Sequence, residues 1–184
     1  MNIRRGGIAG RKRRTKIEGQ FIAYTREMIE SPAWRVLSFQ GRKILNRLEI
    51  EHCAHGGAEN GRLPCRYHDF EKYGCRRKSI SRGLVEIEAL GFAKTMTFGT
   101  RAYGDIPGKA STFRLTYLPT PEGPPTHDWK KIDTLKMARD AVAAAIRHHQ
   151  NWLDAADGSP RQRQRKQNAR GQNAQGQGAK CHLK

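Results

Sequence analysis

Between Gly74 and Gly91 the apolar residues Ile80, Leu84, Ile87 and Leu90 follow one another at spacings of 4, 3 and 3. That periodicity predicts a helix over about residues 76–90 with one apolar stripe, leaving Arg77, Lys78, Ser81, Arg82 and Val85 on the opposite side. An apolar stripe must be buried against other elements, so this segment demands a packed domain around it. Gly91 stands just past the last apolar residue, where a glycine ends a helix at least cost. Upstream, residues 69–73 read as a short helix stopped by Gly74.

The flanks supply the partners. Order is expected from Phe21. Ser31-Pro32 reads as a cap followed by proline at the first helical position, opening a short helix with Trp34 and Leu37. Ser38 reads as a second cap, for a helix with Ile44, Leu45 and Leu48 on one face. That helix runs out at Gly56-Gly57, and Asn60-Gly61 signals a turn. Residues 62–66 are expected as a short strand. Residues 92–98 and 111–118 form a hairpin around the glycine-rich loop 99–110, with Phe113, Leu115 and Tyr117 alternating on one side. The fold class is α+β.

Four prolines between Pro119 and Pro125 make residues 119–127 a stiff linker. Residues 128–157 contain neither proline nor glycine and read as one long amphipathic helix, with Ile132, Leu135, Val142, Ile146, His149 and Leu153 roughly on one face. Arg139 interrupts any heptad. Two fates stay open for this helix: a homodimer seam over residues 128–154, or a return onto the preceding domain through Trp129 and Trp152.

The chain holds 35 Lys+Arg against 17 Asp+Glu, a formal charge of +18. Such a balance attracts polyanions and is silent about fold. Its distribution says more. Residues 1–20 carry seven basic side chains and one acidic, and residues 159–184 carry seven basic and none acidic. Both ends therefore read as flexible basic segments, 1–20 an arm and 158–184 a disordered tail of low complexity. Between them, residues 66–82 hold six basic and two acidic side chains, so most of the remaining excess sits on the amphipathic helix and its approach.

The run Asp69-Phe70-Glu71-Lys72-Tyr73-Gly74-Cys75-Arg76-Arg77-Lys78-Ser79-Ile80, continuing to Leu90-Gly91-Phe92, resembles the winged helix-turn-helix superfamily. Gly74 and Cys75 occupy the turn of that pattern, and Leu90-Gly91-Phe92 its exit into the wing. The stretch 21–118 is similar to DNA-binding domains of plasmid and phage replication initiators and small bacterial transcriptional regulators. One departure stands out: Arg76 occupies a position often held by a capping Ser or Thr. The resemblance implies a winged helix-turn-helix domain over 21–118 that inserts its second helix into a major groove of double-stranded DNA. It assigns base or phosphate contacts to Arg76, Arg77, Lys78, Ser79, Ser81 and Arg82. It gives Arg101 and Lys109 of the wing, with Tyr103 between them, a role on the DNA backbone or minor groove. Arg11, Lys12, Arg13 and Arg14, with the basic residues of 161–166, would add salt-dependent affinity without selectivity. The competing reading is an architectural nucleic-acid module that self-associates through the C-terminal helix and selects no sequence.

Other chemistry finds little footing. His52, Cys53, His55, Cys65, His68 and Cys75 match no zinc-finger or ribbon spacing, so no metal is expected, and Cys75 is expected to pack as a small apolar side chain. Asp69, Glu71, Glu86 and Glu88 read as solvated helix faces. No nucleophile elbow or phosphate-binding glycine loop occurs, so neither an enzyme nor a cofactor is expected. The N-terminus lacks the apolar stretch of a secretory signal, and no run of about 18 apolar residues exists to span a membrane. A reduced cytoplasmic setting, on the nucleoid, is the expectation.

Overall fold

A computed structural model describes residues 18–157, so Arg11, Lys12, Arg13 and Arg14 and the tail from residue 158 lie outside it. The described residues form a mixed α+β unit of six α-helices and a small antiparallel sheet. Three short polar caps organise its start. Thr25 opens α1 (Arg26–Glu30), accepting a hydrogen bond from the Met28 N–H. Ser31 opens α2 (Pro32–Val36), and its hydroxyl accepts from Trp34 N while donating to the Met28 carbonyl. Ser38 opens α3 (Phe39–Ala54) by accepting from Gly41 N at 3.0 Å. The caps at Ser31 and Ser38 follow the sequence; α1 was not anticipated, because a single buried residue, Met28, gives it no apolar period.

Next come β1 (Leu63–Cys65), α4 (Tyr67–Lys72) and α5 (Arg77–Ala89). The hairpin strands are β2 (Ala93–Thr97) and β3 (Ser111–Leu115). The sheet order is β1-β3-β2, with Leu63 opposite Phe113 and Ala93 opposite Leu115. Ile44, Leu45 and Leu48 of α3, Phe70 of α4, Ile80 and Ile87 of α5, and Phe92, Phe113 and Leu115 around the sheet fill one core. Trp34 meets Phe92 edge-on at 5.5 Å, and Phe70 meets Phe113 likewise at 6.2 Å. Gly83 lets α5 lie close to α3, since a Cβ there would stand 2.9 Å from Ile44 Cγ1.

Asn60 does more than make a turn. Its fully buried side chain accepts from Leu115 N at 2.7 Å and donates to the carbonyls of Leu115, Leu118 and Pro119 at 2.8–3.0 Å. It thereby satisfies backbone groups at the end of β3 that the sheet leaves unpaired.

Two expectations for the C-terminal third need correction. Residues 119–127 are no spacer. Thr120 and Gly123 exchange backbone hydrogen bonds, and Thr126 N and His127 N both donate to the Thr116 carbonyl at 2.9 Å. The prolines stiffen a turn that folds back on the domain, and Trp129 is buried behind it. Gly91 is essential to that return: its φ is +74°, and a Cβ would stand 2.6 Å from the backbone of Asp128 and Trp129. Nor is the helix continuous from Asp128. A single 3-10 turn spans Asp128–Lys131, the chain extends through the buried Ile132, and α6 runs over Leu135–Asp157. Thr134 starts it, its hydroxyl accepting from Met137 N at 3.1 Å.

α6 turns its apolar face to the body of the protein. Ala138 is fully buried, Val142 packs on the core, and the helix contacts α2 and α5. Of the two anchors considered from sequence, Trp129 is buried and Trp152 stays 61% exposed. Among the described residues, no helix is long and apolar enough to cross a membrane.

Candidate nucleic-acid interface

Four of the basic residues singled out in the sequence stand together at the start of α5. Arg76 caps the helix in extended conformation without a side-chain capping bond, and Arg76, Arg77, Lys78 and Arg82 are exposed. Ile80 and Ile87 are fully buried on the other side. Arg77 is held: its Nη1 donates to Glu71 Oε2 at 2.9 Å, and its guanidinium lies 5.8 Å from the Tyr67 ring centre. An exposed pair of this kind contributes well under about 1 kcal/mol, so it orients Arg77 without tying it down. Lys43 reaches from α3 to donate to the Gly74 carbonyl at 2.7 Å, adding a cation beside the α4–α5 turn.

The turn is built as its residues require. Gly74 has φ +86°, its N–H donates to the Glu71 carbonyl, and Cys75 follows, buried. Burial pushes the Cys75 thiol up from its usual range, and Cys65 further, to about 12. Both are packing groups. Among the described residues no three His, Cys, Asp or Glu side chains are grouped as a metal site would require.

Ser79 and Ser81 differ from the basic residues in being half-buried. Ser81 and Val85 line a cleft, for α6 lies beside the outer side of α5 from Ser81 to Ala89. Leu84, expected in the core, lines the same cleft. The side of α5 opposite the core is therefore open at its first turns and flanked by α6 further on.

Of the acidic residues expected on solvated faces, Glu88 is exposed and Asp69 half-buried, and Glu86 departs from that expectation. Glu86 is buried, 6% exposed, and its carboxylate accepts from Ser38 N and Ser38 Oγ. It braces α5 to the start of α3. Glu88 accepts from Thr95 N, linking α5 to β2, and Asp69 accepts from Arg66 N at 2.7 Å to cap α4. These carboxylates hold the elements in place, and they leave the exposed start of α5 dominated by positive charge.

Arg101 and Lys109 are exposed on the β2–β3 loop. The loop has internal order: Thr100 N donates to the Lys109 carbonyl, and Tyr103 and Ile106 exchange two backbone hydrogen bonds at 3.0 and 3.1 Å. Tyr103 and Ile106 are strongly exposed at its tip. Arg66, which the sequence did not single out, donates to the loop's Gly108 carbonyl at 3.4 Å. Lys43 and Arg66 carry no local sequence signal for this surface, because remote packing brings them to it.

Comparison of the chain with family models, with curated proteins and with solved structures gives no match.

Proposed function

We propose that the protein binds double-stranded DNA with sequence preference, the unit from α3 to β3 working as a winged helix-turn-helix. In this reading α5 enters the major groove by its first turns, with Arg76, Lys78 and Arg82 free to reach bases or phosphates and Arg77 oriented by Glu71 and Tyr67. The observation that carries the proposal is this exposed basic start of α5, opposite a fully buried Ile80 and Ile87 and braced by Glu86 on Ser38. Arginine at such a position discriminates guanine by bidentate contact, worth ~1–3 kcal/mol per base pair. The β2–β3 loop serves as the wing, Arg101 and Lys109 meeting the backbone.

The placement of α6 limits how far the groove can be entered. A major groove ~12 Å wide admits one helix ~10–12 Å across, side chains included. Contacts should therefore come from the open turns, Arg76 to Arg82, and not from Val85 onward. The use of the α6 apolar face within the chain also speaks against a homodimer seam over 128–154, so a single copy should suffice for binding.

Selection from a random duplex library, followed by competition against unrelated duplex, tests the proposal. A recovered motif of a few base pairs is expected; recovery of unrelated sequences would leave only the architectural reading. Mapping bound genomic fragments to promoters or origins then separates a transcriptional regulator from a replication initiator.

A further inference from the structure

We infer that the cleft between α5, α6 and the root of the β2–β3 hairpin binds the unpaired bases of a single-stranded nucleic acid. This surface lies beside the groove-entering turns and does not depend on duplex reading.

The cleft encloses about 770 Å³, within the ~300–1,000 Å³ typical of ligand sites. Its floor is Ser81, Leu84 and Val85, and its aromatic lining comes from Tyr67, Phe98 and Trp152. Phe98 is 86% exposed and Trp152 61%, so two large apolar rings of the lining stand open to water. Exposed rings are the groups on which bases stack in sequence-tolerant strand binding. His149 stacks on Trp152 at 6.2 Å between centres, and its Nε2 is shielded from water without a hydrogen-bond partner.

Charge narrows the occupant from any flat apolar molecule to a strand bearing phosphates. Lys78 precedes Ser81 by three positions and Val85 by seven, so helical periodicity puts it on the same side of α5 as the floor. Arg77 lies over Tyr67. Lys109 leaves the hairpin two residues before Ser111, which lines the cleft. The acid in the lining, Glu88, is already engaged by Thr95 N. A duplex cannot reach the floor at Leu84 and Val85, since α5 and α6 side by side exceed the width of one groove. A single strand, whose unpaired bases can stack on exposed aromatic rings, can.

The test uses the full chain and its own fluorescence. Trp34 and Trp129 are buried, so quenching by a stacked base reports Trp152. Thymidylate and uridylate oligomers of about 16 nucleotides, the upper site size for one stacking fold, are titrated beside a blunt duplex. We expect the oligomers to quench the emission. W152A and F98A should each weaken oligomer affinity about tenfold, the loss of one stacked base, and leave duplex affinity within about twofold. W152F should retain affinity while losing the quench. Binding of the thymidylate alone would identify a DNA strand, and binding of both oligomers a site indifferent to the sugar. Oligomer affinity unchanged in W152A and F98A, absence of quenching, or equal losses on duplex would overturn the inference. A failure of duplex selectivity with the stacking effects intact would overturn the duplex reading alone.

Discussion

The Glu86 carboxylate on α5 takes both the N–H and the hydroxyl of Ser38, at 2.5 and 2.6 Å, and so fixes α5 against the N-cap of α3. The same hydroxyl accepts from Gly41 N, so cap and brace are one unit. Replacing Glu86 by Ala removes two hydrogen bonds to a buried carboxylate and should cost about 2 kcal/mol, against about 1 kcal/mol for Ser38→Ala. Urea denaturation checks the difference; equal losses would mean that the carboxylate contributes nothing beyond the cap.

Asn60 is the corresponding brace at the end of β3. Asn60→Ala strands the Leu115 N–H and the carbonyls it serves, with an expected loss of about 3 kcal/mol. Asn60→Asp should be at least as damaging, because a carboxylate cannot donate to the carbonyls of Leu115, Leu118 and Pro119. Thermal melts of the two variants decide this. A stable Asp variant would contradict the donor role.

Glu49 lies buried between Tyr24 and Tyr117, accepting both hydroxyls. Burial raises its carboxyl above the ordinary range, and the two tyrosine bonds oppose that rise. Burial, reinforced by the neighbouring carboxylate, also pushes both hydroxyls up. A raised carboxyl contributes stability that is full below the unfolded value of about 4.3 and is lost as pH climbs through the folded value. Glu49→Gln keeps an acceptor and removes the charge. Its melting temperature relative to the parent should therefore rise as pH increases above about 4.3. A difference that does not change with pH would show that Glu49 costs nothing on ionising.

Cys65 should be inert. With its thiol pushed up to about 12 by burial, it should escape alkylation at neutral pH in the folded protein, while the half-buried Cys53 is modified first. Peptide mass mapping after brief exposure to iodoacetamide reads both. Early modification of Cys65 would mean that the β1 edge opens readily.

Much of the fold was legible because local chemistry and global packing agree in it. The spacing of Ile80, Ile87 and Leu90 and the caps at Ser31 and Ser38 each named an element that formed within a residue or two, and the alternation through Phe113 and Leu115 named a strand that stops at Leu115, three residues before the expected end. What escaped was long-range. Nothing local distinguishes Glu86 from the exposed Glu88, since its burial depends on Ser38, 48 positions away. The prolines after β3 stiffen a spacer and a tight return equally well, and the hydrogen bonds to Thr116 decide between them. Thr134 did carry a capping signal, obscured by the absence of any breaker between Asp128 and Leu135. For the candidate site, the exposed Arg76, Arg77, Lys78 and Arg82 were readable from periodicity. The half-burial of Ser81 and Val85 was not, because it comes from a helix more than 50 residues downstream.

The most direct test of the account is the ratio of affinities for a selected duplex and an unrelated one, measured for the parent and for a Lys78→Ala, Arg82→Ala double variant. Loss of base contacts predicts a fall of about tenfold or more in that ratio. Arg101→Ala with Lys109→Ala should instead weaken both duplexes together and reduce the salt slope by about 1 for each phosphate contact removed. A ratio unchanged by the α5 substitutions would contradict sequence reading by this helix.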